Sequence, residues 1–396
     1  MKISFLVPDL SNNIVGRAHM LSRLLSSKYE TEIAGPLMTG EPWAPVFADG
    51  RTAMKSVRVE NPFHAWPRLL TLGSRLDGDV FYVCKPYLSS LGLAHWAARR
   101  RRVPVILDLD DWDEGFLADF LGRSPVLHSI RVGASLLTRS HGQSYGSLLA
   151  ARRLVRRSAA LTVASPFLAR LYPGALVVPH CRDETHFDPS RFFQASSRAK
   201  FGFDRSQKIV MFCGVPRPHK GLEDLIDAMA SVGVRDAVLS MPGMDVSDPY
   251  ARRLDESARR TLGERYHPMG LIPYADVPEA LSVADVVVIP QRAGRGAEGQ
   301  MPAKVIDAMA MGRAIVATRV GQLPEALAGC ADFVEPGDVK GLAAAIRRAL
   351  ENPEVYSAMR EKARQVFLEN YSYSKVAPGL VSLVGRVLAS RPPRTK

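Results

Sequence analysis

Glu298, Lys304 and Asp307 fall within ten positions of one another, in a stretch built to hold them. It reads Val286-Val-Val-Ile-Pro290, then a loop over 291–301 with three glycines, then Pro302-Ala-Lys-Val-Ile-Asp-Ala-Met-Ala-Met-Gly312. A helix N-terminus offers free backbone N–H groups and a partial positive charge, which suits a diphosphate. Lys304 would add a full charge in that first turn. Asp307 lies between Ile306 and Ala308 in an otherwise apolar helix. A carboxylate buried there needs partners, and the two vicinal hydroxyls of a ribose would supply them.

A second cationic loop, Gly214-Val-Pro-Arg-Pro-His-Lys-Gly221, follows the strand pattern Lys208–Cys213 and precedes a helix pattern from Leu222. That is a phosphate cradle in outline. It is not a Walker A loop, because no Gly precedes Lys220 and no Ser or Thr follows it. Lys220 is the first candidate in this loop and Arg217 the second; a surface turn is the alternative for both.

The positioning elements follow from patterning. A short β-branched run bounded by Pro reads as a buried strand, so Val286–Pro290 and Ala314–Thr318 flank the helix that opens at Pro302 and stops at Gly312. The alternation of strand and helix runs through the whole chain and predicts an α/β fold with parallel sheets. At 396 residues the chain suits two domains. The expected division is 1–190 and 191–375, with a C-terminal helix over about 376–396 returning to the first domain.

In the N-terminal half, strand Ile3–Val7 leads through a loop over 8–16 into a helix. Gly16 and Arg17 stand where such folds bring backbone close to a ligand. Arg17 is either a phosphate contact or a surface arginine. Strand Val103–Leu107 is followed by Asp108-Leu-Asp-Asp-Trp-Asp-Glu114. Acids at the carboxyl end of a parallel strand face a ligand crevice, and three readings stay open. They form a DxD-type metal site, or they are solvated acids and caps, as Asp113 and Glu114 read. Otherwise at least one of Asp108, Asp110 and Asp111 has a functional role at the strand end, as acids there often do. Residues 116–141 read as core packing against the sheet, with an interfacial amphipathic helix or an acceptor lid as the alternatives.

"Asp-Ala-Met-Ala-Met-Gly" at 307–312, "Val-Gly-Gln-Leu-Pro-Glu" at 320–325 and Lys220-Gly221 after Gly214 together resemble the retaining family-four glycosyltransferases of the GT-B fold. In that family a Glu, a glycine-rich loop, a Pro and a second Glu precede Ala-Met-Ala-x-Gly, with the two acids eight apart. Here the second acid is Asp307 and the spacing is nine. The resemblance implies two facing Rossmann-like domains with a cleft between them. It also implies sugar transfer from a nucleotide-sugar to an acceptor hydroxyl with retention, and no metal or other cofactor. By the same resemblance Lys220, Arg217, Lys304, Gly214, Gly16 and Arg17 would meet the diphosphate. Asp307 would hold the ribose and Glu298 the donor sugar, with Met301 and Ala303 lining the donor at the loop–helix junction. Asp110 and Asp111 would stand near donor sugar and acceptor, and His180, Arg182 and Asp183 would lie near the cleft. A nucleotide-sugar epimerase of the same fold and a non-catalytic nucleotide-sugar-binding or scaffold protein are the alternatives.

The formal net charge is +12. Arginines cluster at 99–102 and at 152, 153, 156 and 157. Each cluster alone reads as an arginine-rich solvated surface, but both lie in the N-terminal half, which tilts slightly toward an anionic membrane or an acceptor on that side, the acceptor expected being a carbohydrate, lipid-linked or small molecule. Nucleic acid is not expected, since no zinc-finger, RRM or KH signature is present. The start of the chain reads as a strand rather than a signal peptide. The four scattered cysteines read as reduced core thiols. A cytoplasmic protein, with peripheral contact at the inner face of the membrane, is the expectation.

Overall fold

A computed structural model describes residues 1–38, 40–47, 50, 52–60, 65–122, 124–134 and 144–390. The chain divides into two units, Met1–His180 with Val376–Lys396, and Cys181–Lys375. The division falls at 180 rather than 190 because the segment after His180 packs into the second unit. Phe187 is fully buried in that unit's core, and Arg182 N donates to Tyr371 O at 3.0 Å.

The first unit holds seven strands, β1 (Lys2–Leu6), β2 (Glu30–Leu37), β3 (Met54–Arg58), β4 (Val80–Cys84), β5 (Val105–Leu109), β6 (Ala160–Val163) and β7 (Leu176–Val177). They lie in the order β3-β2-β1-β4-β5-β6-β7, all parallel. The second unit holds β8 (Lys208–Met211), β9 (Ala237–Ser240), β10 (Tyr266–His267), β11 (Val286–Ile289), β12 (Ala314–Thr318) and β13 (Asp332–Val334), in the parallel order β10-β9-β8-β11-β12-β13. Both are doubly wound sheets. The strand order reverses beside β1 and β4 in the first unit and beside β8 and β11 in the second, and ligands of such sheets bind at the carboxyl ends there.

Burial explains the continuous apolar runs. Val210, Val286 and Val288 join one core of the second unit, while Ile209, Met211, Val287 and Ile289 join another. Successive residues of a strand face opposite ways, so a strand covered on both faces is apolar throughout. All four cysteines are buried thiols outside any disulfide.

Three local expectations change. Strand β5 runs to Leu109, two residues beyond the expected end, so Asp108 lies inside the sheet, paired with Cys84 and Thr162. The first helix begins at Val15, which places Gly16 and Arg17 in its first turn instead of in a loop. The loop over 291–301 contains one helical turn, Arg295–Glu298. The segment read over 116–141 begins as two helices, Asp113–Gly122 and Pro125–Ala134. Its Arg123, Arg139 and His141 lie outside the described residues, as does the basic tail 391–396. Among the described residues no helix is long and apolar enough to cross a membrane.

Candidate active site

In the second unit, the loops after β8 and β11 leave the sheet side by side, at the point where the strand order reverses. The first loop starts at Phe212 and Gly214, closes with a 3₁₀ turn over Pro218–Lys220, and opens the helix Leu222–Ser231 at Gly221. The second carries Glu298 and opens the helix Ala303–Ala310. They are tied together. Arg292 forks onto Asp224 with bonds of 3.0 and 2.7 Å, and Arg292 N donates to His219 O at 2.9 Å. Thr318 Oγ1, at the end of β12, donates to Gln291 O at 2.6 Å.

Close backbone approach explains two of the glycines. Gly221 has φ +64, and a Cβ there would stand 2.0 Å from Pro290 O, so only glycine lets the two loops touch. Gly214 has φ +140, and a Cβ there would crowd Lys304 Cε and Nζ at 3.3 Å.

Lys304 therefore lies directly over Gly214. Its ammonium is 3.7 Å from the centroid of the Phe212 ring, and the side chain is buried. Burial first, and then the charge of neighbouring Lys220, hold Lys304 well below the ordinary lysine pKa. Lys220 is half-buried and donates to Val215 O in its own loop. Two lysines brought together over glycine backbone, at the carboxyl end of the sheet, form a cationic cradle fit for an anion with more than one charge.

That electrostatic strain gives a measurable consequence. A diphosphate beside Lys304 would restore its ammonium form, so binding should take up a proton. Affinity should be flat below the depressed pKa of the free protein and fall as pH rises above it, toward the ordinary lysine value of about 10.4. Calorimetry of nucleoside diphosphate binding in buffers of different ionisation enthalpy should read net proton uptake in that window. Zero uptake, or proton release, would remove Lys304 from the site.

The other expected donor residues are placed differently from one another. Asp307 is buried, and its partner is a protein group: Arg182 Nε donates to Oδ1. Arg182 is itself buried, 5.5 Å from the Phe187 ring and 5.6 Å from that of Tyr274. The salt bridge meets the need for a partner that the sequence assigned to a ribose, while Oδ2 accepts no hydrogen bond from the described residues. Burial raises the Asp307 pKa against the pull of Arg182. Glu298 is exposed, in the turn Arg295–Glu298. Met301 sends its side chain into the core, so only its backbone is offered to a ligand, and Ala303 begins the helix. Arg217 donates to Pro216 O at 3.0 Å and faces Asp248 at 3.9 Å. Asp183 accepts from the backbone N–H groups of Thr185 and His186 in a local turn.

In the first unit Arg17 is not a surface residue, and its donors are taken up by protein groups. It is buried, and its Nε and Nη2 meet Asp108 Oδ2 and Oδ1 at 2.9 Å each. Further bonds run to Val178 O at 2.6 Å and Pro179 O at 3.2 Å. Asp108 also accepts from Thr162 Oγ1 at 2.6 Å, and Thr162 meets Tyr82 Oη at 2.8 Å. This network is internal, which removes both Arg17 and Asp108 from the ligand-facing set. Gly16 is left with open space, since a Cβ there would meet nothing within 4 Å.

The acids past β5 gather on a residue the sequence did not single out. Lys85, one position past β4, adopts φ +74 and is buried. Its Nζ lies 2.9 Å from Asp110, 2.6 Å from Asp111 and 3.5 Å from Asp113. Burial alone would lower the Lys85 pKa, but the three acids outweigh it and hold the ammonium well above its ordinary range. Asp113 is not a solvated cap. Burial pushes it up to about 7 against the pull of Lys85, and Tyr87 Oη donates to it at 3.1 Å. Asp110 is likewise raised, by burial first. Among the described residues, no group of three or more His, Cys, Asp or Glu is arranged to hold a metal ion, and a lysine stands where the DxD reading placed one.

A family model described as "Glycosyl transferases group 1" matches residues 207–352, a span that contains the whole lysine cradle. The match covers under half of the chain and lies wholly within the second unit. The chain is 28% identical over 188 residues to the MMP alpha-(1->4)-mannosyltransferase of Mycolicibacterium hassiacum, over 46% of this chain and 44% of that protein. The match thus spans less than half the length of this curated relative. The structure of HepE from Anabaena in complex with UDP and glucose has a TM-score of 0.73 at 17% identity, over 98% of this chain and 100% of that one. Sucrose-phosphate synthase from Thermosynechococcus elongatus has a TM-score of 0.72 at 17% identity, over 98% and 100%. At these identities the likeness is one of fold. The group 1 segment is the second of two Rossmann-like units of the GT-B type.

Proposed function

We propose that this protein is a glycosyltransferase that moves a sugar from a nucleotide-sugar to an acceptor hydroxyl, with retention and without a metal. The observation that carries the reading is the Lys220–Lys304 cradle over Gly214. Breaking the donor bond puts negative charge on the leaving diphosphate, and preorganised positive groups aimed at that charge lower the barrier. Two lysines in a site walled by Phe212 do the work a metal would otherwise do. The UDP and glucose in the HepE complex support a nucleotide and a sugar as the ligands of this fold.

Glu298, exposed at the loop after β11, is assigned to the donor sugar, and Asp307 Oδ2 to the ribose. Acceptor chemistry is assigned to Asp110 and Asp111. A carboxylate whose pKa is raised by burial, as at Asp110, is a better proton acceptor toward a hydroxyl than a solvated one. Lys85 would fix the pair in place.

Calorimetric titration with UDP, GDP, ADP and dTDP, each with EDTA present, tests the donor half. One of them should bind, and it names the base of the nucleotide-sugar to try with sugar acceptors. Product analysis by NMR then reads sugar transferred with its anomeric configuration kept. Binding by none of the four would end the donor-site reading. Free sugar as the sole product would replace transfer by an epimerase or hydrolase activity.

A further inference from the structure

The amino-terminal edge of the second sheet carries a second cationic site, unrelated to the cradle. A cavity of about 340 Å³ opens there, where β8 and β12 begin. That is the size of a small-ligand site. Lys208, Arg313 and Arg360 line it together with Phe192, Leu350 and Tyr356. The one acid of the lining, Asp285, is already neutralised. Arg198 forks onto it at 2.8 and 3.0 Å, and Ile209 N donates to it at 2.7 Å. The walls therefore present a surplus of positive charge.

Part of each arginine serves the fold. Arg313 Nε donates to Met311 O at 2.8 Å and its Nη1 to Ser282 O at 3.0 Å, and Arg360 Nε donates to Gly312 O at 2.9 Å. These bonds satisfy carbonyls just past the end of helix Ala303–Ala310 and at the end of helix Val277–Ser282, as cations near a helix C-terminus do. They leave Arg313 Nη2 and both Nη atoms of Arg360 without a hydrogen bond to any described residue. Burial, and then the charge of Arg360, bring Arg313 down to about 10 against the pull of Asp285. Two arginines held together, with the one nearby acid already hydrogen-bonded to Arg198, are a costly arrangement unless an anion completes it.

We infer that this cavity binds a small phosphomonoester. The phosphate would sit between the free Nη atoms of Arg313 and Arg360, within reach of Lys208, and the organic body would lie against Phe192, Leu350 and Tyr356. Arginine matches phosphate with paired donors in a plane, and aromatic and aliphatic walls favour a ligand larger than inorganic phosphate. The site lies one strand length from the cradle, roughly 13 Å by the rise of the four residues of β8, and helix Ala303–Ala310 runs between the two.

Phenyl phosphate is the probe, titrated by calorimetry into the Lys220→Ala protein, so that the cradle does not compete for it. Binding should persist in that background. Adding Arg360→Gln should weaken it by roughly 10–100-fold, the scale of losing a hydrogen-bonded charge. Thermal unfolding would check that the variant is folded, and if it is not, Lys208→Gln in the same background carries the test. Loss of all binding in Lys220→Ala would assign the probe to the cradle and overturn the inference. So would binding that is indifferent to the Arg360 and Lys208 changes. Failure of the donor-site reading shows separately, as nucleoside diphosphate binding that ignores Lys220→Ala.

Discussion

Lys220→Ala is expected to lower turnover by about 10²–10³, the scale of losing one preorganised group aimed at transition-state charge. Lys220 reaches the cradle from the 3₁₀ turn Pro218–Lys220, held by the close contact of Gly221 with Pro290 O. If Lys220 met the diphosphate equally in ground and transition states, its loss would raise KM and leave kcat alone. If charge builds on the diphosphate only as the bond breaks, kcat and kcat/KM fall together. The second pattern is expected. An internal control comes from Lys304. Removing its cationic neighbour relieves one cause of its lowered pKa, so the proton taken up on diphosphate binding should shrink in the variant. Near-normal turnover in Lys220→Ala would sink the assignment, whatever happened to binding.

Much of this site is legible in the sequence, for a physical reason. Phosphate cradles are made by short-range features: a strand, a glycine where backbone must pass closely, a lysine, then a helix start. Gly214, Lys220, Lys304 and the helix after Pro302 follow from such local rules, and the structure brings Gly214, Lys220 and Lys304 together. Partners distant along the chain leave no local mark. Arg182 lies far before Asp307 in sequence, and nothing near either residue signals their salt bridge. The same holds for Lys85, which draws in Asp110, Asp111 and Asp113 only because β4 and β5 are neighbours. The error at Asp108 had a smaller origin. Val103-Pro-Val-Ile-Leu107 is so apolar that a strand read from pattern alone ends with it. In fact β5 starts at Val105 and continues through Asp108, because Arg17 and Thr162 give that carboxylate its hydrogen bonds inside the sheet. A buried acid with an arginine partner reads in sequence like an acid at a strand end.

The Arg17–Asp108 pair carries the second large prediction, and it concerns stability instead of catalysis. Asp108→Ala should destabilise the first unit by about 3–5 kcal/mol, because it leaves a buried guanidinium without its counter-charge. The pair is fully sheltered, with Asp108 at 0% and Arg17 at 3% exposure, so solvent does not screen the loss. Replacing both, as Arg17→Met with Asp108→Leu, should recover much of that loss, since a buried pair exchanged for apolar groups of similar volume is often near neutral. Recovery should stay incomplete. Arg17 also serves Val178 O and Pro179 O, and the double variant takes that donor from both carbonyls and leaves Thr162 Oγ1 with Tyr82 Oη alone. Urea unfolding followed by hydrogen exchange in β1 and β5 would read the effect in the first unit itself. A loss below about 1 kcal/mol would place the pair among weak ion contacts that solvent reaches. Nucleoside diphosphate affinity supplies the contrast. If Arg17 is an internal strut, the folded Asp108→Ala protein should bind the diphosphate as tightly as the parent. A large fall in affinity would return Arg17 to the phosphate-binding role that its position in the first helical turn suggests.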